Sequence, residues 1–267
     1  MNSSYGVLYL IFAGGLATRY NGKNKTLGTE ISEEGLPPTI YTTQEIYKFM
    51  CNAPKYSNNP IEEGIVDPYR VMIIVKDERQ VSVAVELCEK NNIRMPRYNI
   101  FEEGESKLEE LLKITSENFD NIIIALNGDT YYPEEAIRMA AEKMTEYYEN
   151  YNNEVAGVMF MLKGEEMKKE PKINVDNNKR LISIEKNFEY TYWSPVIFGF
   201  DRERIKDYLK KLKKEELHNS LKQLCNDMNK ICSCYVEKID CTYKEKNSEP
   251  LEKRSELNEI VKTAKVL

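Results

Sequence analysis

VLYLIFAGGLATRYNGKNK, from Val7 to Lys25, is the stretch that decides the fold. Its first six residues form a continuous apolar run with no polar alternation. A strand with one wet face alternates, whereas a run that is apolar at every position fits a strand buried on both faces, as in parallel sheets. The run enters a turn with two adjacent glycines, Gly14 and Gly15, and then a polar loop over 20–38. Two more runs share its character, RVMIIV at 70–75 and NIIIAL at 121–126. Helical periodicity appears over 39–50, 79–91, 105–117 and 133–148, the last opened by a proline and two glutamates. Residues 97–101 read as a short strand, and 51–68, rich in Asn, Pro and Ser, as a loop-like insertion. Strand–helix alternation of this kind predicts an α/β fold, a Rossmann-like, mainly parallel sheet flanked by helices.

The second half changes character. Residues 154–161 read as a strand, 172–175 and 180–184 as a hairpin around the turn DNNK, and 195–200 as a further strand. Helices are expected over 202–214, 217–229 and 251–263, and a strand over 231–239. No internal repeat is visible.

Composition narrows the function classes. Hydrophobic residues make up 41% and charged residues 31%, which suits a globular chain able to bury a core and excludes a disordered one. The formal net charge of −6 argues against a nucleic-acid partner. The apolar stretch at 7–13 is short and follows an uncharged start, so no signal segment is expected. No run approaches the roughly 20 apolar residues of a bilayer span. The expectation is a cytoplasmic enzyme without a membrane partner. Six cysteines (Cys51, Cys88, Cys225, Cys232, Cys234 and Cys241) then read as thiols rather than as a disulfide framework. The cluster from Cys225 to Cys241 lacks paired C-x₂-C zinc spacing, and Cys232 and Cys234 read as small buried residues on one strand face.

The chemistry concentrates where strands end. After the first run, Gly14 and Gly15 let the backbone turn tightly and bring N–H groups near phosphates. Arg19 and Lys25 add fixed positive charge, which a phosphoryl or nucleotidyl transfer needs to stabilise the transferring group. In open α/β sheets this edge is where ligands bind. NGDT at 127–130 ends the third run and places Asp129 at the same edge, where it can ligate Mg²⁺ or serve as a turn residue.

The pattern strand–GG–x–x–T–R–x–x–G–x–x–K resembles the signature loop of the sugar-phosphate nucleotidyltransferases, which have a GT-A-like fold. The likeness runs from about residue 7 to 262, and only this first motif is specific. It implies catalytic roles for Arg19, Lys25 and Asp129, and contacts to the nucleotide from Ala13, Gly14, Gly15 and Thr18. Ala17 departs from the usual glycine. FEEGESKLEELL at 101–112 resembles the family's base-binding segment, which implies Glu103, Gly104 and Ser106 near the base. ISIEKN at 182–187 resembles its E-K-P acceptor motif, implying that Glu185 and Lys186 hold the acceptor, although Asn187 replaces the proline. Trp193 would border the acceptor pocket. Asp240, ending a strand as the family's second metal aspartate does, would share Mg²⁺ with Asp129. The resemblance thus implies a single nucleotidyltransferase domain over 1–267, with a nucleotide-binding half at 1–150 and a small β-rich acceptor-binding half at 151–267.

The implied reaction joins an NTP to a phosphorylated small molecule, a sugar 1-phosphate foremost, with loss of pyrophosphate and with Mg²⁺ as cofactor. A short R-x-x-G-x-x-K loop also occurs in enzymes that activate phosphocholine, so a cytidylyltransferase for a phosphorylated alcohol is the alternative. A GT-A glycosyltransferase would normally show a D-x-D where this chain has NGDT. A catalytically inactive nucleotide-sugar sensor would explain Ala17 and Asn187 but not the retained Arg19, Lys25, Asp129 and Asp240. His218, the single histidine, carries no expected role, and a homo-oligomer is left open.

Overall fold

The computed structural model describes residues 6–13, 26–27, 35–53, 68–101, 106–118, 120–150, 154–218 and 220–245. The expected terminal helix over 251–263 and most of the 51–68 insertion lie outside them.

Four parallel strands carry the first half: β1 (Val7–Phe12), β2 (Val71–Val75), β3 (Arg97–Ile100) and β4 (Ile122–Asn127). Every residue of β1 and β2 is buried. Tyr9 and Ile11 of β1 join a core under α1 (Pro38–Asn52), α2 (Glu78–Lys90) and α4 (Glu134–Asn150). Leu8 and Leu10 join a second core under α3 (Lys107–Glu117), α5 (Arg202–Leu209) and α6 (Leu221–Met228). Both pleat faces are therefore covered, which is why the sequence shows no polar alternation. Full burial of each large side chain contributes roughly 1.5–3 kcal/mol.

All of these helices but α1, which opens on Pro37 and Pro38 with no side-chain cap, begin where side chains satisfy their first N–H groups. Asp77, Ser106, Asp201 and Ser220 cap α2, α3, α5 and α6, and Ser106 forms a reciprocal capping box with Glu109. In α4 the cap comes from another helix, since the Glu134 N–H donates to Glu45 Oε2 of α1 at 3.2 Å.

The sheet continues antiparallel into the second half. Among the described residues its order is β3-β2-β1-β4-β7-β6-β8-β5, completed by β5 (Thr130–Tyr131), β6 (Val155–Val175), β7 (Leu181–Asp201) and β8 (Ser233–Glu245). The segments read from sequence as separate short strands are parts of two 21-residue strands. Register shifts along the ladder keep these strands paired through polar stretches that show no period of two. The hairpin tip turns at Asp176, whose Oδ1 accepts the N–H groups of Asn178 and Arg180, with Lys179 left-handed at φ 64°. That tip reaches β8: Val236 N–H donates to the Lys179 carbonyl, and Lys179 Nζ and Tyr147 Oη both donate to the buried Glu237 carboxylate.

Other boundaries differ from expectation. α5 ends at Leu209 rather than at 214. α6 starts at Leu221, after a 3₁₀ turn at Glu216–His218, because Ser220 supplies the cap. β8 runs on to Glu245. All six cysteines are free thiols, and of the pair expected on one strand face, Cys234 is buried in β8 while Cys232 is half-buried just before it. Among the described residues no helix is long and apolar enough to cross a membrane.

Candidate active site

The C-terminal ends of β1 and β4 meet at the last rung of their ladder, Phe12 opposite Asn127. Beyond it the two chains come closer still. The Gly128 N–H donates to the Phe12 carbonyl at 3.1 Å. A Cβ at Gly128 would fall 2.8 Å from Ala13 Cα and 2.8 Å from the Phe12 oxygen, so only glycine fits. Thr39 in the first turn of α1 donates from Oγ1 to the Gly128 carbonyl at 2.8 Å. Three elements thus fix the turn that carries Asp129, which stands half-buried at the strand edge.

The loop that begins at Ala13 is closed at its base. Thr26 Oγ1 donates to the Ala13 carbonyl at 2.7 Å, and the Ala13 N–H donates to the Ile74 carbonyl at 2.8 Å. Both backbone groups of Ala13 are engaged within the protein. Its place is structural, pinning the loop beside the Asp129 turn, rather than donating its N–H to a phosphate. Gly14, Gly15, Thr18, Arg19 and Lys25 lie outside the described residues, as do Glu103 and Gly104.

Ser106 also has a structural task. Its hydroxyl accepts from Glu109 N–H and donates to the Leu217 carbonyl, while its own N–H donates to Glu109 Oε2. These bonds cap α3 and occupy the groups expected to face a base.

Around Asp129 the sheet adds aromatic hydroxyls. Tyr132 is fully buried, donates from Oη to the Val196 carbonyl at 2.8 Å and accepts from Asn127 N–H at 3.2 Å. Burial raises its phenol well above the ordinary range, which keeps it a neutral donor. Burial raises Tyr243 too, with Ser194 beside its hydroxyl and the Glu170 and Asp129 carboxylates near. Lys168 Nζ lies 5.2 Å from the centre of the Tyr243 ring.

The remaining expected residues scatter. Trp193, next in chain to Ser194, is half-buried against the second core and holds Lys238 Nζ 5.2 Å from its ring centre. Glu185 and Lys186 lie toward the tip of the β6–β7 ribbon, which turns back against α6 and β8: the Ile184 N–H donates to Asn226 Oδ1, and Arg180 bridges to Tyr235. Glu185 accepts from Asn174 Nδ2 at 2.6 Å, and Lys186 is exposed. For Asp240, expected to share a metal with Asp129, the register puts other residues of β8 nearest the Asp129 turn. Thr130 pairs with Glu245 and Tyr131 with Lys244, antiparallel, so the chain beside Asp129 is the end of β8. Asp240 lies five residues back along that strand from Glu245, at a register shift between Ile239 and Thr242. It flanks Cys241, whose thiol meets Glu135 at the start of α4.

Sequence reading missed Thr39, Tyr132 and Tyr243, which carry no motif.

No family profile matches the sequence, and no curated protein matches it significantly. Solved structures do. A protein assigned as a glucose-1-phosphate thymidylyltransferase from Bacillus anthracis, crystallised with sucrose, superposes with a TM-score of 0.66 at 16% identity, covering 94% of each chain. The inositol-1-phosphate CTP transferase from T. maritima gives 0.63 at 12% identity, covering 97% of this chain and 96% of that one. The CTP:phosphocholine cytidylyltransferase from Streptococcus pneumoniae gives 0.58 at 16% identity, covering 96% and 99%. By fold, the chain shares the mainly parallel, helix-flanked sheet of these nucleotidyltransferases.

Proposed function

We propose that the chain transfers a nucleotidyl group from an NTP to a phosphorylated small molecule, with Mg²⁺, and releases pyrophosphate. The observation that carries this reading is the closure at Gly128. It sets the pinned base of the glycine loop directly against the turn bearing Asp129, at the ligand edge of a nucleotidyltransferase sheet.

Asp129 fits Mg²⁺ as its protein ligand. It is a hard oxygen donor with part of its surface open, and Mg²⁺ in nucleotide sites usually takes one or two carboxylates together with phosphate oxygens and waters. Among the described residues no group of three His, Cys, Asp or Glu could cage a metal, and a cation shared with a triphosphate needs no such cage. When bound, the metal would neutralise charge on the reacting phosphates.

The chemistry is an in-line displacement. An acceptor phosphate oxygen forms a bond to the α-phosphorus while the bond from that phosphorus to the bridging oxygen breaks, and pyrophosphate departs with the electron pair. The attacking oxygen is already ionised at neutral pH, so no general base is needed. Positioning and electrostatics supply the rate. Arg19 and Lys25, by their place in the loop, would stabilise the phosphates. Trp193 and the Ser194–Tyr243 pair near Asp129 would border the acceptor.

A sugar 1-phosphate is the leading acceptor, as the motif order implies. A second reading, a phosphorylated amino alcohol such as phosphocholine, is supported by the fold shared with the CTP:phosphocholine cytidylyltransferase. Pyrophosphate release, measured for each NTP against a panel of sugar 1-phosphates and phosphocholine with Mg²⁺, tests both. Turnover with one NTP and one acceptor, lost in Asp129→Asn, supports the reading. Absence of release from every pairing by folded protein would refute it.

A further inference from the structure

Ahead of Ile197, where its pairing with β4 begins, β7 has a strand partner only on its β6 side among the described residues. The Trp193 N–H marks this open edge, donating to Thr191 Oγ1 of its own strand at 3.1 Å. Phe188, Tyr190 and Tyr192 alternate along the stretch and remain 59%, 62% and 50% exposed. They share one face of the ribbon. Phe188 pairs there with Pro171 and Tyr190 with Lys169, whose Nζ lies 5.6 Å from the Tyr190 ring centre. The other face turns toward α6, since Glu170, paired with Glu189, meets Lys222 of that helix. Single exposed rings need no explanation, but an aromatic stripe beside an open strand edge does.

We propose that this face joins two copies of the chain, with β7 pairing antiparallel to β7 of a second copy about a two-fold axis at Tyr190. Directly opposite residues of an antiparallel pair lie on one face. An axis at Tyr190 therefore sets Tyr190 against Tyr190, and Phe188 against Tyr192 of the second copy, so that all six rings meet. It also sets Glu189 against Thr191. An axis one residue earlier would oppose the two Glu189 carboxylates, and like charges directly opposite destabilise a ladder. The stretch is thus self-complementary, as a two-fold interface requires. The exposed parts of the three rings come to about 350 Å² per copy, at ~200 Å² for each whole side chain. Two copies would bury about 700 Å² of ring surface, over half of the ~1,200 Å² at the lower end of stable interfaces. The paired strand edges, Lys169 and Pro171 would supply the rest, which fits a reversible dimer.

The test is sedimentation velocity of the full chain from about 1 to 100 µM, with the Tm taken at the dilute end. Wild type should pass from monomer to dimer over that range. Tyr190→Lys should weaken association at least ~100-fold, because each dimer loses the residue twice, and should leave the dilute Tm unchanged. Tyr190→Cys in a Cys51→Ser background should be joined across the axis by oxidised glutathione, two thiols giving one disulfide and two molecules of reduced glutathione. The Cβ atoms of directly opposite residues lie within disulfide reach. A monomer at every concentration would overturn the proposal, and its co-sedimentation with phosphatidylcholine vesicles would assign the face to a lipid surface instead. A dimer that survives Tyr190→Lys would overturn it too, as would cross-linking through Glu189→Cys in preference to Tyr190→Cys. None of these readouts involves nucleotide, so they stand or fall apart from the nucleotidyltransferase reading.

Discussion

Thr39 Oγ1 donates to the carbonyl of Gly128 across 2.8 Å, tying the first turn of α1 to the turn that presents Asp129. Both partners are buried. The bond joins residues far apart in sequence, so it fixes where Asp129 points relative to the loop that leaves β1. Thr39→Val keeps the shape and leaves the Gly128 carbonyl without that donor. The expected cost is about 1–3 kcal/mol in urea unfolding, with a larger fractional fall in kcat than in substrate affinity. An unchanged kcat in the stable fraction would show that the turn is held by other contacts.

Gly128 itself admits no side chain. A Cβ there meets Ala13 Cα and the Phe12 oxygen at 2.8 Å, both backbone atoms that cannot swing aside. Gly128→Ala should cost about 1–3 kcal/mol by forcing β1 and β4 apart at their last rung. Chemical denaturation measures this directly, and a neutral result would mean that the two strand ends separate easily.

Asp129→Asn keeps the size and hydrogen-bonding shape of the side chain and removes its charge. Catalysis should fall by ~10² or more, because a neutral amide holds Mg²⁺ poorly. Asp240→Asn should leave kcat within about twofold, given the register that separates the two residues. Steady-state pyrophosphate release distinguishes them, and a loss in Asp240→Asn as large as in Asp129→Asn would contradict the β5–β8 register.

Burial first, and then the Glu135 carboxylate, pushes the Cys241 thiol up to about 11 from 9.0. The folded state therefore holds this proton more tightly than the unfolded chain does. That stabilisation is fully present below pH 9 and is lost as pH rises through about 11. The urea midpoint should fall over that window in wild type and fall less in Cys241→Ala. At pH 8 exposed Cys51 should be alkylated well before Cys241. Equal alkylation rates would contradict the buried placement.

The parallel half of the fold was legible because its physics is local. Runs such as VLYLIF and the IIIAL of 122–126 are apolar at every position only when both faces are covered, and the proline and two glutamates at 133–135 mark a helix start. The ribbon of β6 and β7 was not legible. Its middle, KGEEMKKEPK at 163–172, has no period of two, and bulges carry the pairing through it. The strand-edge place of Asp129 was legible because a buried apolar run has to end where the polar NGDT begins. Asp240 ends a similar run, but which rung of β8 faces Asp129 is a matter of register, set by pairing across the sheet. Tyr243 went unread for a related reason, since only the folded sheet brings Ser194 and Asp129 to it.

The account rests on nucleotide binding at the β1–β4 edge, and thermal unfolding against each NTP, with and without Mg²⁺, tests that most directly. A ligand that binds the native state raises the midpoint by mass action. The expected result is a Mg²⁺-dependent rise with one NTP, absent in Asp129→Ala. No rise with any NTP, from protein that unfolds cooperatively, would contradict the account.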